Sequence, residues 1–122
     1  MAEMQTKELP DVTSTHAPDN TDAIALVANM IIKASAGNMY SVSGYNSSTA
    51  ATFIQLHDSA TIPADGAVPV YVFTVPGSSN FTYEPSIRFG RFFRNGIVVT
   101  NSSTVATKTV SGADCWYSAQ YK

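Results

Sequence analysis

The chain has 122 residues, of which 44% are apolar and 13% charged, with a net charge of −2. That length suits one domain with a usable core, and that apolar content excludes a disordered chain. A weakly acidic balance implies no polyanionic partner, so no nucleic acid is expected.

The 14 Ser and 13 Thr residues, set against so few charges, suit half-buried strands and faces that meet other proteins. Charge is uneven along the chain. Residues 1–22 hold Glu3, Glu8, Asp11, Asp19 and Asp22 against Lys7, whereas the remainder is slightly basic. An acidic arm and a basic body attract weakly, over about 10 Å at ordinary salt. The single Cys115 leaves no intrachain disulfide. Residues 1–22 lack the basic start and apolar centre of a secretory leader, and no apolar run nears the roughly 20 residues that span a bilayer. The expectation is synthesis in a reducing cytosol and no membrane partner.

In chain order, residues 1–22 are polar, carry Pro10 and Pro18, and show no period, which predicts a flexible N-terminal arm. Residues 23–36 alternate through Ile24, Leu26, Ala28, Met30, Ile32 and Ala34 as a strand does. Asp22 capping a short helix is the alternative, and the longer alternating pattern favours the strand. Gly37-Asn38 turns the chain into a strand over Met39–Tyr45. Thr52–Asp58 alternates, with Ile54 and Leu56 on one face and Gln55 and His57 on the other.

Val68–Val75 is apolar on both parities, which predicts a strand buried on both faces or lying beneath a partner chain. Phe81–Tyr83 is a short strand ended by Glu84-Pro85. Asn95-Gly96 between two apolar runs is the strongest short-range hairpin cue, since both residues accept the positive φ of a two-residue turn. Val105–Val110 and Cys115–Tyr121 follow as strands, the last with Cys115, Tyr117, Ala119 and Tyr121 on one face. The fold class is therefore all-β: an antiparallel β-sandwich or jelly-roll-like small barrel of seven to nine short strands, in one domain over residues 23–122 behind the 1–22 arm.

No catalytic, cofactor-binding or metal-ligating residues are assigned. His57-Asp58 is the best acid–base pair, but neighbours on a strand point to opposite faces, which predicts an exposed strand histidine beside a loop aspartate. His16 has no ligand neighbour at metal-motif spacing, and Cys115 reads as a small core residue. There is no Gly-rich phosphate loop, no CxxC and no HExxH. Enzyme activity is not expected. Asn46, Asn80 and Asn101 open glycosylation-type triplets that chance accounts for in a Ser/Thr-rich chain.

The candidate contact residues are Arg88, Arg91, Arg94, Tyr71 and Phe73. In an unbroken strand Arg88 and Arg94 share a face with Arg91 opposite, and a bulge at Gly90 would bring all three to one side. They read as a solvated strand face or as a subunit contact, a setting that favours Arg. Tyr71 and Phe73 lie on the doubly apolar strand. Tyr71, Phe73, Phe81, Tyr83, Phe92, Phe93, Trp116 and Tyr117 fill a sandwich core or, alternatively, form the platform of a carbohydrate-binding module.

Four stretches carry a resemblance: Gly37–Gly44, the Phe53–Asp58 strand, the run Asn95–Thr104 followed by Lys108-Thr109, and Ala113–Tyr117. In these the chain, over residues 30–122, resembles small structural proteins of tailed-bacteriophage virions. The resemblance implies a non-enzymatic capsid decoration (cement) protein on the capsid surface. It also implies contact with the major capsid protein and a homo-oligomer, with a trimer favoured at local threefold positions. The alternative within the same resemblance is a tail, neck or head-fibre subunit.

Overall fold

The computed structural model describes residues 17–85 and 89–122. Nine strands form: β1 (Asp19–Asp22), β2 (Asn29–Lys33), β3 (Gly37–Asn46), β4 (Thr52–Asp58), β5 (Tyr71–Val75), β6 (Ser79–Tyr83), β7 (Arg91–Phe93), β8 (Ile97–Ser102) and β9 (Cys115–Tyr121). No helix forms among the described residues. All pairings are antiparallel. One sheet runs β1-β9-β3-β6, with β7 also on β3, and the other runs β2-β8-β4-β5. The expected all-β antiparallel sandwich is the fold.

Alternation within the strands builds the core. Met39, Val42, Phe81, Tyr117 and Ala119 point inward from the first sheet. Ile32, Ile54, Leu56, Val75, Ile97 and Val99 meet them from the second. Each buried aliphatic side chain contributes about 1.5–3 kcal/mol. The border between β5 and β6 is closed by aromatics: Tyr71 stacks on Tyr83 at 4.3 Å between centroids, and Phe73 meets Phe81 at 5.8 Å.

The Asn95-Gly96 hairpin does not form. β7 belongs to the first sheet and β8 to the second, so Arg94–Gly96 carries the chain across the sandwich. Phe93 and Ile97 enter the core from the two sheets, 1% and 0% exposed. Burying both outweighs pairing the two segments with each other. Gly96 lies outside the positive-φ region that the hairpin needs. Its small size is what matters: a Cβ would sit 2.4 Å from the Ser59 carbonyl oxygen and 2.8 Å from that of Lys33. Asp58 holds the crossing, its carboxylate accepting from the backbone N–H groups of Arg94 at 3.2 Å and Asn95 at 2.7 Å.

Other expectations shift as well. Of residues 23–36 only Asn29–Lys33 is a strand. Met30 and Ile32 face inward as the alternation requires, but Ile24 is fully exposed and Leu26 half-exposed. The expected Val68–Val75 strand starts at Tyr71 and lies at a sheet edge; Val68 is 74% and Val70 41% exposed, so the segment is not buried on both faces. Val105–Val110 is a loop held to the end of β8 by a bridge at Val110 and by the Thr109 N–H donating to Ser102 Oγ at 3.0 Å. Of the 1–22 segment, residues 1–16 lie outside the described residues, and residues 19–22 form β1 against β9.

Candidate functional site

His57 and Asp58 are engaged separately, each with its own partners. Asp58 is occupied with the crossing between sheets. His57 is 2% exposed, which corrects the expectation of an exposed histidine. The reason is non-local. The outer face of β4 is roofed by two loops, residues 59–70 and 103–112, which pair with each other through Gly66 N–H to Lys108 O and Lys108 N–H to Ala67 O, both 2.7 Å.

Gln55 anchors that roof by donating from Nε2 to the carbonyls of Thr104 at 2.9 Å and Thr107 at 3.0 Å, while its Oε1 meets His57 Nε2 at 3.1 Å. Lys108, only 4% exposed, donates from Nζ to Pro63 O at 2.9 Å and approaches Asp65 at 3.4 Å. Burial first, and the Lys108 charge second, lower the His57 pKa to about 4, so the imidazole is neutral at physiological pH. This polar layer holds the two loops to the sheet.

The arginines separate. Arg88 lies outside the described residues. Arg91 ties the sheets together: its Nη2 donates to Val70 O at 3.1 Å, and the guanidinium lies 5.8 Å from the Tyr71 ring centroid. Arg94 is exposed. Gly90, at φ 80°, precedes β7 and is not a bulge within it. Tyr71 and Phe73 are half-buried in the aromatic closure of the β5–β6 border. The exposed apolar side chains nearby are Val68, Val70, Phe89 and Phe92, at 74%, 41%, 66% and 63%.

Cys115 is fully buried, and burial pushes its thiol up to about 11, the opposite of what a nucleophile needs. Two of the glycosylation-type asparagines, Asn46 and Asn101, are buried as structural donors. Asn46 Nδ2 reaches Ala50 O at 3.0 Å and Pro76 O at 3.1 Å, and Asn101 Nδ2 reaches Gly112 O at 3.0 Å. Among the described residues no group of three or more His, Cys, Asp or Glu side chains is placed to hold a metal ion.

One concave feature lies on the outer face of the first sheet. Trp116 of β9, Tyr45 of β3 and Asn80 of β6 are register partners and form one cross-strand row; Ser43 and Thr82 belong to the next. Between the rows runs a shallow groove of about 290 Å³. Gly44 lets the strands come together here, since a Cβ would lie 1.9 Å from Trp116 O and 2.7 Å from Phe81 Cζ. Trp116 and Tyr45 are 37% and 38% exposed. The indole is fixed by donating from Nε1 to Ala23 O at 2.7 Å. Tyr45 carries no local signal for this role, because its partner residues are distant in sequence and only the strand register brings them together.

Compared with known proteins, the chain matches no family model, no curated protein and no solved structure.

Proposed function

We propose that the protein is a non-enzymatic structural component of a tailed-phage particle, a capsid decoration subunit that binds the major capsid protein as a homotrimer. The observation that supports this reading best is the exposed apolar rim at the β5–β7 border. Val68 and Val70 lead into β5, Phe89 and Phe92 flank Arg91, and Arg91 Nη2 donates to Val70 O, so two exposed apolar stretches border one contact between the sheets, with Phe92 on the outer face of β7. Soluble monomers normally expose large apolar side chains singly, and a grouped set marks a protein contact. The contact is therefore carried by this rim, while Tyr71, Phe73 and Arg91 support it from beneath. The run that carries much of the phage resemblance, Gly96–Thr104, includes the wholly buried β8, so on this reading the run belongs to the framework of the sandwich and the rim to the contact.

The test is co-sedimentation of the purified protein with capsid shells lacking it, followed by antibody labelling of whole particles. Val70→Asp combined with Phe92→Asp places charge in the rim and should weaken shell binding at least about tenfold, or 1.4 kcal/mol, with the sandwich still folded. Sedimentation should give a trimer. Binding unaffected by the double substitution, or labelling confined to tails, would overturn the reading.

A further inference from the structure

We infer that the groove on the outer face of β9, β3 and β6 is a binding site for a neutral sugar ring, with Tyr45 and Trp116 as its stacking surface. This does not depend on which part of a particle carries the chain.

Two half-exposed aromatic side chains, register partners on adjacent strands, line one groove and present apolar surface bordered by polar groups. Aromatic faces of this kind receive ligands that are apolar on one side and hydroxylated at the edge, which describes a pyranose. The polar partners are in place. The side chains of Ser43, Asn80 and Thr82 line the groove and make no hydrogen bond to any described residue, so their donors and acceptors are available to sugar hydroxyls. The indole is pre-positioned, since its N–H is engaged by Ala23 O and its orientation need not be fixed on binding. A volume of about 290 Å³ is at the lower limit for small-molecule pockets and suits one ring of a longer glycan passing over an open face.

Charge decides between ligand classes. The base of a nucleotide would stack equally well, but the nucleotide's phosphates need cations, and no Lys or Arg lines the groove. An acidic sugar lacks a counter-charge for the same reason. A neutral hexose is the chemistry that remains.

Trp116 is the chain's one tryptophan, so its fluorescence reports directly on the site. The experiment titrates the full chain with neutral glucose-, galactose- and mannose-based oligosaccharides, with sialyllactose as the acidic comparison. A saturable fluorescence change at millimolar sugar is expected for at least one neutral series, with amide shifts at residues 43–45, 80–82 and 116. Trp116→Ala also removes the bond to Ala23, so Tyr45→Ala, which keeps that bond, is the second variant. Each should weaken binding roughly tenfold, whereas Ile62→Ala, in the exposed 59–70 loop, should leave it unchanged. No saturable response to any neutral sugar, a response to sialyllactose alone, or binding unchanged in Tyr45→Ala would each overturn the inference.

Discussion

Gly96→Ala distinguishes a crossing between sheets from a hairpin turn. In a two-residue turn the added methyl would face solvent, and the cost would be the left-handed backbone alone, about 1 kcal/mol. A D-alanine at the same position would then stabilise the protein. In the crossing, a Cβ collides with the carbonyl oxygens of Ser59 at 2.4 Å and Lys33 at 2.8 Å and lies 2.8 Å from Ala60 Cα. All three are backbone atoms, tied into β2 and β4 or their immediate continuation, and none swings away as a flexible side chain does. Separating them also strains the Ser59 N–H bond to Gly96 O at 3.1 Å. Overpacking of this kind costs about 1–3 kcal/mol or more. At about 4–8 °C per kcal/mol for a domain of this size, the midpoint should fall by roughly 5–20 °C. Thermal unfolding followed by circular dichroism reads this directly, and a semisynthetic chain with D-alanine in place of Gly96 supplies the control. The crossing predicts that both alanines destabilise, because Gly96 does not occupy the positive-φ region. A D-alanine chain more stable than the parent would refute it.

Two further outcomes follow from the buried groups. His57 has a folded pKa near 4 against an ordinary 6.5, so the unfolded chain takes up the proton first as pH falls. Stability should therefore be fully present above about pH 6.5 and decline towards pH 4, by on the order of 3 kcal/mol from this group. Urea unfolding across that range should show a shallower decline in His57→Gln than in the parent, and identical pH profiles would exclude the buried neutral imidazole. Cys115, fully buried with its thiol pushed up to about 11, should resist alkylation by iodoacetamide in the native protein and react after denaturation. Stoichiometric labelling of the folded chain by mass spectrometry would contradict that burial.

The features legible in the chain before folding are local ones. The alternation in Thr52–Asp58 and Cys115–Tyr121 matches β4 and β9 end to end, and together with the turn residues it is enough for an all-β sandwich. Those strands present a whole apolar face to one core, so a period of two residues carries their register. Whatever depends on which surface covers which required the folded molecule. Asn95-Gly96 looks like a turn because the flanking runs are apolar, yet each run belongs to a different sheet, and no short-range pattern separates pairing from crossing. Gln55 and His57 look solvent-facing because they are polar, yet the distant 103–112 loop brings backbone carbonyls to Gln55 and pairs with the 59–70 loop over them. Tyr71 and Phe73 look like a contact surface because both parities are apolar, yet β6 supplies their aromatic partners from the opposite sheet. The groove is the same case. Tyr45, Asn80 and Trp116 share a row only because antiparallel register aligns three strands far apart in the chain, and that alignment is set by burial of Val42, Phe81 and Tyr117 on the other face of those strands.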